Sequence, residues 1–179
     1  MKENSFVLFT EINRSSFIFI AGKHNNNQNF EISEKIIVPV EGIHENKLTN
    51  VDLVIKIIEK NVATIEKKLN HVFKEVHVII DLFEYTCVNI SGFKKLNQTQ
   101  ILKDNISYIL NSIKLIVSDN EKDKAILHIF NSKNILDGTV IENLPIGLFG
   151  DFYSHELTFF LIGNNDYKNI SQIFKKNNL

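Results

Sequence analysis

The sequence predicts an α+β fold in which a β-sheet with one covering helix is followed by a second block of strand, helix, strand and strand. Three observations support this prediction. Short apolar runs bounded by polar turns, which are typical of strands, fill the first forty residues. Two later segments carry apolar residues at helical spacing. Between Ala125 and Ile162, alternating runs are separated by an Asp137-Gly138 turn and a loop that contains two glycines.

The first block begins with strands. The candidates are Phe6–Phe9, Phe17–Ala21 and Phe30–Val40. A polar turn, Glu11 to Ser16, separates the first two, and a polar loop, His24 to Asn29, precedes the third. Pro39 indicates that the third strand ends there or lies at a sheet edge, because proline cannot donate a ladder hydrogen bond.

A helix follows, with Asn50 as its predicted N-cap. Its apolar stripe is Val51, Val54, Ile55, Ile58, Val62, Ile65 and Leu69. The run Val76 to Ile80 then predicts a buried strand, which completes a sheet covered by one helix.

The second block begins with a strand from Tyr85 to Ile90, which we expect to end at Ser91-Gly92. A helix is predicted to open at Asn97 or Thr99. Its apolar stripe is Ile101, Leu102, Ile106, Ile109, Leu110, Ile113 and Ile116. After a charged loop from Ser118 to Lys124 come the remaining strands, the last from Tyr153 to Ile162. A short helix, Tyr167 to Lys176, is predicted to turn Ile170, Ile173 and Phe174 to one side.

Composition excludes several classes of protein. Hydrophobic residues make up 44% of the 179, enough for a core, and the net charge of −1 lacks the clustered positive charge that nucleic-acid binding requires. No apolar run approaches the ~20 residues of a membrane span, and the N-terminus lacks the apolar region of a signal peptide. We therefore expect a soluble cytoplasmic protein with no membrane anchor in this sequence. The single cysteine, Cys87, lies among apolar neighbours and is predicted to be a small buried hydrophobe.

No pattern predicts a metal or catalytic site. The six histidines lack zinc-ligand spacing, both from one another and from the cysteine. His128 alternates along a strand candidate, where a half-exposed strand residue is the ordinary interpretation. The segment Asp151 to His155 contains Asp, Ser and His, but adjacency in sequence does not form a catalytic triad.

Several short motifs occur in a suggestive order. They include Val38-Pro39-Val40-Glu41-Gly42-Ile43, the Ile126-Leu127-His128-Ile129-Phe130 strand, the Asp137-Gly138 turn and the loop Pro145-Ile146-Gly147-Leu148-Phe149-Gly150. Together with the order of elements, they resemble the bacterial cell-division protein FtsA, a family of the actin-like superfamily. The resemblance extends over almost the whole chain, although no single motif is specific.

The resemblance implies a domain organisation. Residues 1–81 would form a partial actin-like, ribonuclease H-like subdomain. Residues 82–163 would form the strand-helix-strand-strand insert of the SHS type. Residues 164–179 would be a helix that returns to the first subdomain.

The resemblance also places a phosphate-binding turn at Glu11, Asn13, Ser15 and Ser16. Actin-like turns use Asp beside a metal and Gly for close approach to phosphate, whereas this chain has Glu11 and Asn13, followed by Arg14. Two interpretations are open, a relaxed site for ATP and magnesium or an ordinary polar hairpin. The second phosphate loop, the adenosine site, the FtsZ-binding surface and the membrane helix of the family would lie outside this sequence. We therefore expect no cofactor and no ATPase activity.

The final expectations concern contacts with other proteins. The loop Pro145 to Gly150 leads into a strand, which favours a structural corner over a phosphate cradle. Phe149, Phe152 and Tyr153 fit a protein interface or a core equally well. In the family, the insert contacts division proteins and neighbouring subunits, which an unpaired edge strand could do by strand addition.

The resemblance thus implies a septal-ring protein that acts through division partners or self-association and is recruited to the inner membrane. The alternatives are an actin-like ATP-binding protein, a pilus-assembly relative of the same superfamily, and a standalone ligand-binding module with the same insert.

Overall fold

The computed structural model describes residues 5–25 and 29–179 and divides the chain into two compact units. Unit 1 is Met1–Phe83 with Asn165–Leu179, and unit 2 is Glu84–Asn164. The predicted α+β class is confirmed. Part of the predicted N-terminal segment and the middle of the predicted polar loop, residues 1–4 and 26–28, lie outside the described residues. The assignment of the two units as an actin-like subdomain and its insert stays a prediction.

The elements of unit 1 that precede unit 2 are β1 (Val7–Ile12), β2 (Ser16–His24), β3 (Phe30–Pro39), β4 (Ile43–His44), β5 (Lys47–Leu48), α1 (Val51–Leu69) and β6 (His77–Ile80). Unit 2 contains β7 (Tyr85–Gln100), α2 (Lys103–Asn120), β8 (Lys124–Leu136), β9 (Thr139–Ile141) and β10 (Phe149–Gly163). The chain then returns to unit 1 as α3 (Asn164–Lys176). None of the helices in the described part is both long and apolar enough to cross a membrane.

The sheet of unit 1 has the strand order β3-β2-β1-β6, with β6 parallel to β1 and the other pairs antiparallel. Alternate residues of β1 and β2 point to one face and pack with α1 and α3. The resulting core includes Leu8, Ile12, Phe17, Phe19, Val54, Ile58, Ile65, Ile170, Ile173 and Phe174. The predicted edge position of β3 is confirmed, and Pro39 is its last residue.

The helix ends of α1 follow from local sequence. Asn50 is the N-cap as predicted, and its Oδ1 accepts a hydrogen bond of 3.0 Å from the backbone N–H of Leu53. At the other end, Asn70 adopts a left-handed backbone with φ of 47°. The apolar stripe is confirmed for Val54 and Ile58, which are fully buried.

Two predictions for unit 1 are wrong. The turn does not start at Glu11, because β1 continues to Ile12 and only residues 13–15 connect it to β2. The run from Val76 to Ile80 is not a buried strand. It lies at the sheet edge with only alternate residues facing the core, and Ile79 is 51% exposed.

Unit 2 contains a four-stranded antiparallel sheet in the order β7-β10-β8-β9. The helix α2 covers one face of it, with Ile109, Ile113 and Val117 buried in the core of the unit. The predicted turn between β8 and β9 is confirmed. Asp137 and Gly138 both have positive φ, 49° and 81°, which is the backbone of a two-residue type I′ hairpin.

Strand β7 does not end at Ser91-Gly92 as predicted but continues to Gln100. Gly92 is needed for helix packing rather than for a turn, because a Cβ there would lie 2.6 Å from Cγ2 of Ile109 and 2.7 Å from Cδ1 of Ile113. The glycine lets α2 approach the strand closely.

The predicted start of α2 is also wrong. Asn97 and Gln98 have left-handed backbones, with φ of 53° and 61°, and form an irregularity where the register between β7 and β10 shifts. The helix begins only at Lys103, after Leu102, whose backbone N–H donates to Oδ1 of Asn105 at 2.8 Å. At the other end, α2 extends to residue 120 and shortens the predicted charged loop.

Cys87 is exposed, so the prediction of a buried cysteine is wrong. Along β7, Val88 and Ile90 contact the core beneath α2, and the alternating residues therefore point to the opposite, uncovered face. An apolar sequence context cannot show which of the two faces a strand residue takes.

The close contact at Gly92 makes a stability prediction. Gly92→Ala would push its Cβ against Ile109 and Ile113, so we expect it to lower the free energy of unfolding by about 1–3 kcal/mol. Urea denaturation followed by circular dichroism measures this change. Ser91→Ala, at the exposed neighbouring position, is the matched control and should change stability by less than about 0.5 kcal/mol. Equal effects of the two substitutions would contradict the packing argument.

Candidate functional site

The turn between β1 and β2 brings together the four residues predicted to face a phosphate, and their side chains hydrogen-bond to one another. These residues are Glu11, Asn13, Ser15 and Ser16. Oδ1 of Asn13 accepts hydrogen bonds from the backbone N–H groups of Ser15 and Ser16 at 3.0 and 2.8 Å. Both serine hydroxyls also donate to this oxygen, each at 3.1 Å. The Nδ2 group of Asn13 donates to Oε1 of Glu11 at 3.0 Å. The turn is therefore closed on the side chain of Asn13.

This geometry does not fit a nucleotide phosphate. A phosphate turn needs free N–H donors that converge on an empty position, and here the amide oxygen of Asn13 takes that position. Across residues 5–25 and 29–179, no group of three or more His, Cys, Asp or Glu side chains could hold a metal ion. The contacts favour the polar-hairpin interpretation of the turn.

The loop Pro145 to Gly150 is bonded into unit 2 by its backbone. The N–H of Gly147 donates to the carbonyl of Ile101 at 2.9 Å, and the carbonyl of Gly147 accepts from Nε2 of Gln100 at 2.8 Å. The N–H of Leu148 donates to the carbonyl of Pro145 at 3.2 Å. Gly147 has a φ of 91°, which suits glycine. The structure places the loop as a corner that leads into β10.

The carboxylate of Asp137 fixes the start of β10. One of its oxygens accepts from the N–H groups of Asp151 and Phe152, at 2.9 and 2.7 Å. The N–H of Asp137 in turn donates to the carbonyl of Phe152 at 2.9 Å. These bonds span the irregularity between Gly150 and Phe152 and thereby set which of the following side chains point outward.

The three predicted contact aromatics separate into two exposed residues and one buried residue. Phe149 is 69% exposed and Phe152 is 53% exposed, whereas Tyr153 is fully buried. The assignment of Tyr153 as a contact residue is wrong, because adjacent residues of β10 point to opposite faces and Tyr153 faces the core beneath α2.

The uncovered face of the unit 2 sheet carries further aromatic side chains. We call this surface the aromatic face, formed by Tyr85, Phe93, Phe130, Phe152 and Phe160. Tyr85, Phe93 and Phe130 are 70%, 78% and 53% exposed. Phe160 connects two of the rings, with its centroid 6.1 Å from that of Tyr85 and 5.5 Å from that of Phe130.

Phe93 belongs to this face and was missed by sequence reasoning. The register pairs Phe93 with Ser154 and Lys95 with Phe152, and the Lys95 ammonium lies 5.9 Å from the Phe152 ring centroid. The alternation of exposed and covered residues along β7 could have identified Phe93, if the predicted strand had extended past Gly92.

A small polar cluster is buried on the opposite, helix-covered face. The hydroxyl of Tyr153 donates to Oδ1 of Asn134 at 2.8 Å, and Nε2 of His155 lies 2.9 Å from Oδ1 of Asn131. Nδ1 of His155 and Nδ2 of Asn134 are buried without a hydrogen-bond partner. Burial raises the pKa of Tyr153 to about 12 and lowers the pKa of His155.

Comparisons with known proteins agree with the actin-like resemblance at a coarse level. No protein-family model matches the chain. Over 175 residues, 98% of its length, the chain is 23% identical to cell division protein FtsA of Buchnera aphidicola subsp. Schizaphis graminum (strain Sg), and it spans 41% of that protein.

The fold is similar to that of a chain in the PilM-PilN type IV pilus biogenesis complex, with a TM-score of 0.62 at 8% sequence identity. That similarity covers 97% of this chain and 45% of the other. The first finding is a distant sequence similarity to part of one FtsA, and the second is a similarity of fold. Together they do not single out FtsA within the actin-like superfamily.

Burial of His155 makes a pH prediction. Because its pKa in the folded state is lower than the ordinary value of 6.5, folding holds the imidazole neutral. Its stabilising effect is complete above that value and is lost as the pH falls below it. We expect the free energy of unfolding to fall between about pH 7.5 and about pH 5, as the buried imidazole takes up a proton that the folded state disfavours.

Urea denaturation at the two pH values measures this loss. His155→Gln should reduce the loss, and His128→Gln, at an exposed position of the same sheet, should leave it unchanged. The same pH dependence in all three proteins would show that His155 is not responsible.

Proposed function

We propose that this chain acts without catalysis, as a protein-interaction module of the FtsA-like machinery that assembles the septal ring. Its partners are cell-division proteins, and unit 2 provides the contact surface. The observation that carries the proposal is the aromatic face, which lies on the side of the sheet opposite α2. The similarity to FtsA supports the cellular process, and it concerns a protein of which this chain spans 41%.

The aromatic face has the composition of a binding surface. Aromatic residues are enriched in protein interfaces, where they dominate the binding energy once water is excluded from them. Phe93, Phe130 and Phe152 have more than half of their surfaces exposed in the chain alone. Phe152 donates its backbone N–H to the Asp137 carboxylate and accepts the N–H of Asp137 at its carbonyl, so its backbone is held in place and a partner would meet a partly preorganised surface.

The absence of nucleotide chemistry is part of the proposal. The donors of the β1–β2 turn are directed at Asn13, which leaves no array of free N–H groups for a phosphate. We propose accordingly that these residues bind no ATP and hydrolyse none. The module would work in the cytoplasm and be recruited to the division site at the inner membrane through its partners.

A second candidate function is a role in pilus assembly. The fold similarity to a chain of the PilM-PilN type IV pilus biogenesis complex favours it, with a TM-score of 0.62. The two functions share the aromatic face and differ in the partner, so binding measurements with both sets of proteins separate them.

The aromatic face makes a binding prediction. Phe93→Ala combined with Phe152→Ala should weaken binding to purified division proteins of the same organism at least about tenfold, because both rings would leave the interface. Biolayer interferometry against division proteins and pilus-assembly proteins in parallel measures the affinities. Tyr108→Ala is the matched control, since Tyr108 is a 61% exposed aromatic on α2. If the double substitution leaves the affinity unchanged, the aromatic face is not the binding surface.

The hydrogen bonds that close the β1–β2 turn lead to a prediction about nucleotide binding. Isothermal titration of the chain with Mg-ATP should give no binding heat up to millimolar nucleotide, because no free donors meet the phosphates. Asn13→Asp, which keeps an acceptor oxygen in the turn, should behave in the same way. Micromolar binding by the unsubstituted chain would overturn the non-nucleotide proposal and restore the ATP-binding alternative.

A further inference from the structure

The exposed edge of β7 lacks the features that usually protect a strand edge. From Tyr85 to Phe93 the strand contains no charged residue, no proline and no bulge. Within the described residues, β7 pairs with β10 alone, so its outer backbone groups have no neighbouring strand. A long, uncharged edge without a bulge is a template for pairing with another strand.

The other sheet edges are protected. Strand β3 carries Glu31, Glu34 and Lys35 and ends at Pro39. Strand β6 has four residues and β9 has three, which are too short for extended pairing. Strand β9 pairs only with Asn134 to Leu136 of β8, and two register shifts, where β8 has the extra residues Leu127 and Ser132, interrupt the rest of the outer edge of β8. The contrast identifies β7 as the edge that is suited to strand addition.

We propose that β7 pairs antiparallel with β7 of a second copy of this chain, around a two-fold axis at Asn89. This inference rests on the proposed function, in which unit 2 is the contact surface, and it names one partner of that unit. An antiparallel pair of identical strands is self-complementary, and it would join two four-stranded sheets into one of eight.

Charge complementarity selects this register. With Asn89 on the axis, Glu84 of each copy lies opposite Lys94 of the other, so two opposite-charge pairs flank the uncharged segment. Moving the axis by one position to Val88 or Ile90 keeps each side chain on its face but replaces these ion pairs with Lys94 opposite Leu82 or Thr86.

The same register pairs the side chains that β7 exposes. Tyr85 lies opposite Phe93, and these are the two aromatic side chains of the strand, 70% and 78% exposed. Val88 lies opposite Ile90 on the helix-covered face, and Cys87 lies opposite Ser91 on the uncovered face. Aromatic cross-strand pairs and matched apolar pairs both stabilise such a ladder.

The single cysteine allows the register to be tested by cross-linking. In Ser91→Cys, Cys87 of one copy would lie directly opposite the new thiol of the other, at the Cα separation of about 4.5–5.5 Å that a disulfide accepts. Within one chain these positions are about 13 Å apart along the strand, so only the intermolecular bond can form.

Mild oxidation of the whole chain, followed by non-reducing electrophoresis, should convert Ser91→Cys to a covalent dimer. The unsubstituted chain and the double variant Cys87→Ser/Ser91→Cys should remain largely monomeric on the gel, because like positions are out of register. Cross-linking of the double variant to the same extent would overturn the register.

Charge reversal tests the interaction in solution. Glu84→Lys or Lys94→Glu alone should weaken dimerisation about tenfold or more in sedimentation equilibrium, because each creates two like-charge pairs. The combined variant Glu84→Lys/Lys94→Glu should restore it. Lys114→Glu, the same charge change at an exposed position of α2, is the matched control and should leave the dissociation constant unchanged.

A chain that stays monomeric at its highest soluble concentration would overturn the proposal. A combined variant that dimerises as weakly as the single variants would overturn it as well. These experiments use the chain alone. Dimerisation can therefore fail while division proteins still bind, and dimerisation can persist while none of them bind.

Discussion

The helices of this chain cover one face of each sheet, and much of the remaining structure depends on that constraint. In unit 1, α1 and α3 bury one set of alternate residues of β1 and β2. In unit 2, α2 does the same for β7, β8 and β10. Strand periodicity then requires the other residues to face away from the helices. Exposure of Phe93 and burial of Tyr153 are thus two results of the same packing arrangement.

The close approach of α2 to its sheet depends on Gly92, which has no side chain. The space above Gly92 is filled by Ile109 and Ile113, so the position is specified by the helix rather than by the strand. The buried polar cluster at Tyr153 and His155 lies on this covered face, where burial away from water disfavours the charged form of either side chain. Packing therefore determines both the shape and the protonation of this layer.

Much of the fold could be predicted from periodicity and local signals. Asn50 caps α1 and the Asp137-Gly138 turn closes a hairpin because each motif satisfies its own backbone locally. The continuation of β7 could not be predicted, because Ser91-Gly92 has the composition of a strand terminator and its true role depends on a helix that is distant in sequence. The left-handed backbones of Asn97 and Gln98 likewise lie where the register with β10 shifts, and that partner is distant in sequence.

The candidate site was less predictable than the fold. The sequence placed Glu11, Asn13, Ser15 and Ser16 in one turn. It could not show that Oδ1 of Asn13 accepts hydrogen bonds from the backbone N–H and the hydroxyl of both serines. Likewise, the face taken by each aromatic of β10 depends on the irregularity that Asp137 stabilises.

Strand pairing at the base of unit 2 has a consequence for how such a chain can change over evolution. Tyr85, near the point where the chain enters this unit, pairs with Ile162, near the point where it leaves. The entry and exit are therefore neighbours, so the excursion between them is self-contained. A segment whose two ends lie close together can be lengthened, exchanged or removed without a change in the topology of the rest of the chain. A short connection between the two ends is enough to replace it. Unit 2 therefore has the topology of a segment that can vary while the sheet of unit 1 keeps its order.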